Sequence, residues 1–317
     1  MLIQLLLLIA GLIVLVKGAD WLVDGGSGLA KKLNISDLAI GLTIVAFGTS
    51  APELVVNTIA SYEDHNDIVL GNIIGSNLFN LMAILGICGL IIPLTVQKTT
   101  VWKEIPFSFV AIIFLFFLAN DFGGDESVIS QTDGIILLTL FVLFIFYVYK
   151  QLKQDPSEID VEAKHYSNLR IWILILIGLG GLVLGGKLVV DNAVKIATEL
   201  GVSEKVIGLT IIAAGTSLPE LATSVVAAFK KKADIAVGNI IGSNIFNIFL
   251  IIGVSSIISP VTYNTSFNFD IYVLAGGTIF LFLTMFTGKK KKLDRWEAGI
   301  LLIAYCTYTA YLVQKAI

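Results

Sequence analysis

Charged residues are scarce in this chain of 317 residues: Asp, Glu, Lys and Arg make up 14%, against about 25% in an average soluble domain. Hydrophobic residues make up 56%, and the mean hydropathy is +0.89. The apolar residues form near-continuous runs of about 20 residues, which is the length of a membrane-crossing helix. A water-soluble protein is therefore excluded, and so is a transmembrane β-barrel, whose strands alternate apolar and polar residues.

Nitrogen and sulfur ligands for metals are scarce as well, since the chain has two histidines and two cysteines. Cys88 and Cys306 lie inside apolar runs, where packing is their expected role, and His65 and His165 lie in polar connectors. Zinc and copper sites need such ligands, so the sequence favours oxygen chemistry. The net charge of −3 gives no indication of a nucleic-acid partner. The apolar runs contain no nucleophile–base pair of the kind that would indicate an enzyme.

The sequence contains an internal repeat. GTSAPE at 48–53 returns as GTSLPE at 215–220, and GNIIGSN at 71–77 returns unchanged at 238–244. Both motifs shift by the same 167 positions, and the register extends without a gap over the surrounding residues, where about half of the aligned positions are identical. The two halves are therefore copies of one unit.

The apolar runs predict about five membrane helices in each half. They lie near 2–23, 37–61, 67–92, 103–120 and 133–150, then 170–190, 204–229, 234–259, 269–287 and 296–314. The polar stretch 151–169 is interpreted as a cytosolic linker between an N-terminal repeat (1–150) and a C-terminal repeat (170–317). Because five is odd, the second copy must be inverted, as in many secondary transporters. The predicted fold is thus an all-α integral membrane protein of about ten transmembrane helices in two five-helix inverted-topology repeats.

The short loops predict the orientation, because Lys and Arg accumulate on the cytoplasmic side of membranes. Threading ten helices puts basic loops such as 31–32 and 230–232 on one side, and acidic or neutral loops such as 63–67 and 261–270 on the other. Lys195 and Lys205 are exceptions. Both termini are therefore expected outside the cell.

Two glutamates lie well inside predicted helices. Glu53 and Glu220 have apolar residues on either side and occupy corresponding positions in the two copies. A charged side chain in the hydrocarbon core costs at least about 2.5 kcal/mol, so each glutamate must face a partner, a cavity or a cation. The paired placement favours a shared functional site over a hydrogen bond that merely joins two helices.

Each glutamate directly follows a proline, which lacks the N–H that a helix requires. A broken helix at membrane depth persists where its freed groups line a cavity. The break predicts ion ligands from the carbonyls of Ala46, Thr49, Ala213 and Thr216 and from the hydroxyls of Ser50 and Ser217.

The third and eighth predicted helices add amides and hydroxyls. Ser76 and Asn80 lie one turn apart and share a face, as do Ser243 and Asn247. Direct ion contact is expected for the two asparagines, whereas the serines could equally join helices by hydrogen bonds. The resulting all-oxygen set suits Ca²⁺, which takes 6–8 oxygen ligands, and could hold Na⁺.

At these motifs the sequence resembles the cation/calcium exchanger superfamily, which includes sodium/calcium exchangers. The two α-repeats of that family resemble residues 37–86 and 204–253. The resemblance implies an antiporter that exchanges Ca²⁺ for Na⁺ by alternating access, with helices 1 and 6 sliding as gates and with no cofactor. It implies a calcium site at Glu53 and Glu220, with sodium sites around it at Ser50, Ser217, Ser76, Ser243, Asn80 and the carbonyls of Ala46, Thr49, Ala213 and Thr216.

One residue departs from the pattern of some exchangers, which have Asp where this chain has Asn247. The site has one ionisable group fewer, so the counter-ion and the stoichiometry do not follow from the resemblance. A Ca²⁺/H⁺ antiporter and a K⁺-dependent exchanger remain open, and a passive channel is disfavoured because it needs a continuous lined pore. The linker is too short for the regulatory loop of animal exchangers. A prokaryotic plasma membrane and a functional monomer, with the bilayer and the cations as its partners, are expected.

Overall fold

The computed structural model describes residues 2–120, 127–152, 166–201, 213–288 and 291–316. Most of the predicted linker and the first part of the predicted seventh span lie outside the described residues. The helices in chain order are α1 (Leu2–Leu33), α2 (Asp37–Thr49), α3 (Ala51–Tyr62), α4 (Asn66–Ile91), α5 (Thr100–Asn120), α6 (Gln131–Leu152), α7 (Asn168–Glu199), α8 (Ala213–Gly215), α9 (Leu218–Phe229), α10 (Ala233–Ile258), α11 (Thr265–Thr284) and α12 (Arg295–Ala316).

The helix lengths confirm an all-α membrane fold. Among the described residues, eight helices are long and apolar enough to cross a membrane, and α2 with α3 forms a ninth span that is bent by 46°. The short helix α9 is the counterpart of α3 in the second repeat. The first and sixth spans are longer than their predicted runs, because α1 and α7 continue to Leu33 and Glu199 through polar turns.

Helices α4 and α10 occupy the centre of the molecule. In their most hydrophobic 18-residue windows, 78% and 83% of the residues are buried, against 17% to 39% in the other long helices. Helix α10 packs against α2 and α9, and α4 packs against α3. Both central helices carry the GNIIGSN motif, whose small and polar residues suit close helix contacts rather than lipid.

Helices α1 and α7 cross each other outside this centre, and glycines of both helices lie at the crossing. A methyl group on Gly18 would lie 2.7 Å from the Leu182 backbone nitrogen, and one on Gly185 would lie 2.5 Å from that of Leu15. The two backbones thus touch, and only glycine fits at the crossing. The lipid-facing sides of both helices carry exposed residues such as Leu6 and Leu184.

Two short antiparallel ribbons join the repeats at opposite ends of the bundle. Strand β1 (Leu94–Thr95) and strand β2 (Val128–Ile129) belong to the first repeat, and β3 (Val261–Thr262) and β4 (Lys292–Leu293) belong to the second. Leu94 pairs with Leu293 in one ribbon, and Ile129 pairs with Val261 in the other. Each ribbon therefore fixes a loop of one repeat to a loop of the other.

Candidate functional site

Both glutamates lie in the first turn of a helix that starts at a break. Ser50 and Ser217 leave the helical conformation, with ψ of 4° and 8°, and Pro52 and Pro219 are the second residues of the helices that follow. The N-terminus of a helix carries partial positive charge, which favours a carboxylate in its first turn. The predicted break therefore puts Glu53 and Glu220 at the starts of α3 and α9.

The two glutamates are held by serines of the opposite repeat. Ser217 Oγ donates to Glu53 Oε1 at 3.1 Å, and Ser50 Oγ donates to Glu220 Oε1 at 2.8 Å. The same serines reach the central helices, because Ser217 Oγ lies 3.0 Å from that of Ser76. Ser50 Oγ lies 2.9 Å from that of Ser243. Each carboxylate thus depends on both halves of the chain.

The threonines of the breaks also bond across the repeats. Thr49 Oγ1 donates to Asn239 Oδ1 at 3.0 Å, and Thr216 Oγ1 donates to Asn72 Oδ1 at 3.1 Å. The two bonds are equivalent under the 167-residue shift. They join each helix break to the central helix of the other repeat.

Several buried oxygens at this site have no hydrogen-bond partner. They include Oε2 of Glu53 and Glu220 and Oδ1 of Asn80 and Asn247. Glu53 is 1% exposed and Glu220 is 0% exposed, so water from outside does not reach these atoms. Leaving a buried polar atom unpaired costs about 1–3 kcal/mol, and more for a charged one. A cation bound between the repeats would satisfy them.

The expectation that the Ala46 carbonyl is free is wrong. Proline removes the donor that would reach the carbonyl four residues earlier, which is that of Gly48. The Ser50 N–H is intact and donates to the Ala46 carbonyl at 3.0 Å, while Thr49 Oγ1 lies 3.3 Å from the same oxygen and gives its one proton to Asn239. Ala213 begins α8, directly after residues outside the described part. Ligand roles for the carbonyls of Ala213, Thr49 and Thr216 stay predictions.

The central helices are locally widened at the two predicted asparagine ligands. The backbone hydrogen bonds change from the α-helical to the π-helical pattern over Phe79–Ile84, which contains Asn80, and over Asn247–Ile252. Single π-turns within α-helices are frequent at functional sites. Nothing in the residue pattern predicted these turns.

Two further polar residues contact the site. Asn57 Nδ2 donates to the Glu53 carbonyl at 2.6 Å, and Ser224 Oγ accepts from Asn239 Nδ2 at 3.0 Å. Both are fully buried. Sequence reasoning missed them, although they lie one helical turn after the glutamates and correspond under the repeat.

The arrangement agrees with a known family. The model of the family described as "Sodium/calcium exchanger protein" matches residues 3–150 and 170–314. The chain belongs to this family. The match covers both repeats, as the shared site requires.

Related proteins and solved structures match this chain along its whole length. The putative antiporter CaxA of Alkalimonas amylolytica is 38% identical, with 99% of this chain and 100% of CaxA covered. The sodium/calcium exchanger MaX1 of Methanosarcina acetivorans is 31% identical over 98% of each chain. The structure of the sodium-calcium exchanger NCX_Mj superposes with a TM-score of 0.83 at 34% identity, covering 98% of this chain and 99% of that one. The exchanger fold therefore extends over the whole chain.

Proposed function

We propose that this protein is a secondary active antiporter that exchanges Ca²⁺ for Na⁺ by alternating access. The observation that carries the proposal is the pair Glu53 and Glu220, each bonded to a serine of the opposite repeat and each with a buried, unpartnered second oxygen. The names of the relatives, an antiporter and a sodium/calcium exchanger, support the same class.

The charge of the pair supplies a mechanism for coupling. Two ionised carboxylates are neutralised by one Ca²⁺ or by two Na⁺, and an uncompensated buried charge is strongly unfavourable. The filled site can therefore be closed off from water, whereas the empty dianionic site resists closure. Ion must then be exchanged for ion, because the protein changes sides only when it is loaded.

The assignment of ligands follows the contacts around the pair. Ca²⁺ is proposed to bind at the two carboxylates, because it prefers charged oxygen ligands. Na⁺ is proposed to bind around them through Ser50, Ser217, Ser76, Ser243, Asn80 and the backbone oxygens of Ala46, Thr49, Ala213 and Thr216, and the Asn247 oxygen is proposed to contact either ion. For Ala46 this uses the lone pair that the Ser50 N–H leaves free.

The crossed helices α1 and α7 are the proposed gate. Their glycine contacts hold the two helices together at the crossing, so that the pair can slide past the central helices as one unit. At one end, Lys230 at the end of α9 lies 2.6 Å from carboxylate oxygens of both Asp20 and Asp24 on α1. This ion pair holds the gate against the core at that end. By the distribution of positive charge, that end faces the cytosol, so both termini lie outside a prokaryotic plasma membrane. The protein is proposed to work as a monomer.

The test is uptake of ⁴⁵Ca²⁺ into proteoliposomes with outward Na⁺, K⁺ or H⁺ gradients imposed one at a time. The proposal expects uptake driven by Na⁺ alone. Uptake driven by H⁺ would indicate a Ca²⁺/H⁺ antiporter, and a joint requirement for Na⁺ and K⁺ would indicate a K⁺-dependent exchanger. Rapid uptake without any counter-gradient would indicate a channel and would refute exchange.

A further inference from the structure

We propose that Asn77 is a positioning residue, which turns the amide of Asn247 so that its oxygen, and not its NH₂ group, is left for the transported cation. The inference rests on the proposed function, because it assigns the orientation of a ligand in that same site. Asn77 lies on α4 in the first repeat and Asn247 on α10 in the second, so the effect crosses the repeats.

The orientation follows from a backbone group. A side-chain amide has a donor end and an acceptor end, and its partners decide which end points where. Asn77 Nδ2 lies 3.3 Å from the Asn244 carbonyl oxygen, which can only accept, so this end of Asn77 must be the NH₂ group. Its Oδ1 therefore points the other way, and Asn247 Nδ2 donates to it at 2.9 Å.

This bond uses the NH₂ group of the Asn247 amide and leaves its oxygen available. Asn247 is 1% exposed, and its Oδ1 is buried and has no hydrogen-bond partner. Cations such as Ca²⁺ and Na⁺ are bound by oxygen, whereas an NH₂ group carries partial positive charge and repels them. Asn77 thus excludes the orientation of Asn247 that would be useless for binding.

The other repeat provides a built-in comparison. Asn244 Nδ2 donates to the Asn77 carbonyl at 3.2 Å, which is the equivalent backbone bond. Asn80, the counterpart of Asn247, nevertheless makes no hydrogen bond with either amide atom, and Asn244 Oδ1 is unpartnered. Asn77 and Asn244 therefore join the central helices equally, but only Asn77 also holds an amide of the site.

This difference separates positioning from simple helix joining. Asn77→Ala and Asn244→Ala each remove one bond from a side chain to the backbone of the other repeat and leave the reciprocal one, and Asn77→Ala also removes the bond from Asn247. Asn77→Ala should therefore lower the melting temperature of the purified protein at least as much as Asn244→Ala does. Only Asn77→Ala should also free the Asn247 amide, and so only it should weaken Ca²⁺ binding through Asn247.

The experiment is a double-mutant cycle on Na⁺-driven ⁴⁵Ca²⁺ uptake, with both alanine variants made in the wild-type and Asn247→Ala backgrounds. We expect Asn77→Ala to raise the Ca²⁺ concentration for half-maximal uptake about tenfold, as the loss of one oriented ligand would, with little change in maximal rate. Asn244→Ala should raise it less than about twofold. In the Asn247→Ala background, Asn77→Ala should have no further effect.

Equal shifts for Asn77→Ala and Asn244→Ala would overturn the proposal, as would a shift that persists in the Asn247→Ala background. Should Asn77→Ala not be recovered from the membrane, Asn77→Ser keeps a small polar group but is too short to hold Asn247, and the same outcomes apply. Failure of the proposed function has a different signature, because the wild-type protein itself would then take up no Ca²⁺ against a Na⁺ gradient.

Discussion

The two repeats agree closely at the site and differ at the ends of α1 and α7. The cross-repeat hydrogen bonds of Thr49, Ser50 and Glu53 recur at their counterparts 167 positions later. At one end of the bundle, Asp20 and Asp24 pair with Lys230. The corresponding residues are Lys187, Asp191 and Glu63, so two of the three signs are reversed. Within the described residues, no ion pair joins Glu63 to Lys187.

This contrast separates two kinds of constraint. A cation between the repeats must meet oxygens from both sides, so the residues there are kept alike in both copies. At the two ends the requirement is only that opposite charges face each other, and Asp20 with Lys230 meets it as well as Lys187 with Glu63 would. The structure has the first pair formed and the second apart, so the two ends of the molecule differ in this contact.

The strongest test of the equivalence at the site is to remove one charge at a time. Glu53→Gln and Glu220→Gln should each nearly abolish Ca²⁺ exchange, because each glutamate supplies half of the negative charge and glutamine keeps its shape. Exchange is measured as ⁴⁵Ca²⁺ uptake, and folding as recovery of monodisperse protein. Asp67→Asn, which removes an exposed carboxylate at the start of α4, is the control. Wild-type flux in either glutamine variant would refute the assignment of Glu53 and Glu220 as the Ca²⁺ ligands.

Acid should weaken exchange through the same two residues. Protons and Ca²⁺ compete for the carboxylates, so each bound proton removes half of the charge that holds Ca²⁺. We expect Na⁺-driven uptake to fall progressively as the pH is lowered through the mildly acidic range. Uptake that kept its neutral-pH value well below the ordinary glutamate pKa of about 4.3 would contradict this.

A charge added to one repeat alone should make the two halves of the site unequal. Asn247→Asp adds a third carboxylate, so we expect additional Na⁺ occupancy or a proton-sensitive step, with altered charge moved per cycle. Reversal potentials across a series of Na⁺ and Ca²⁺ gradients measure the coupling ratio. Asn80→Asp, at the corresponding position, is the comparison variant. An unchanged ratio in a well-folded Asn247→Asp protein with normal flux would exclude Asn247 from the ion pathway.

The glycine crossing should tolerate no side chain at its contact points. A methyl group on Gly178 would lie 2.7 Å from the Leu22 backbone nitrogen, whereas one on Gly180 would meet nothing within 4 Å. Gly178→Ala should therefore destabilise the protein by about 1–3 kcal/mol, and Gly180→Ala should be neutral. Thermal unfolding in detergent compares the two. Equal stability would mean that α1 and α7 do not touch at this point.

The smallest expected effect is that of the ion pair between Lys230 and the two aspartates of α1. Lys230 and both aspartates are about a quarter to a third exposed, so their pairing contributes at most about 1 kcal/mol. Lys230→Met should shift the half-maximal Ca²⁺ concentrations measured from the two sides of sealed vesicles relative to each other, by no more than about fivefold. The exposed neighbour Lys231 provides the control, Lys231→Met. No relative shift would mean that the pair does not favour one end over the other.

Much of this architecture was predictable because two physical signals are strong in the sequence. Apolar runs predicted the membrane helices, and the proline-glutamate motif predicted the break in the second span, which the structure shows as a 46° bend. Hydrogen-bond partners were not predictable. The Ala46 carbonyl was expected to be free, yet its donor is the Ser50 N–H, which the proline leaves intact. Nor could the pattern show that Asn247 is held while Asn80 is not, since both residues end the same GNIIGSNxFN motif.

The central claim is that one cation lies between Glu53 and Glu220, bound by both repeats. Anomalous diffraction from crystals soaked in Sr²⁺, as a substitute for Ca²⁺, tests it most directly. The account predicts one strong peak within bonding distance of Oε2 of both glutamates, and loss of that peak in Glu53→Gln and in Glu220→Gln. A peak bound by one glutamate only, or a peak elsewhere that survives both substitutions, would contradict it.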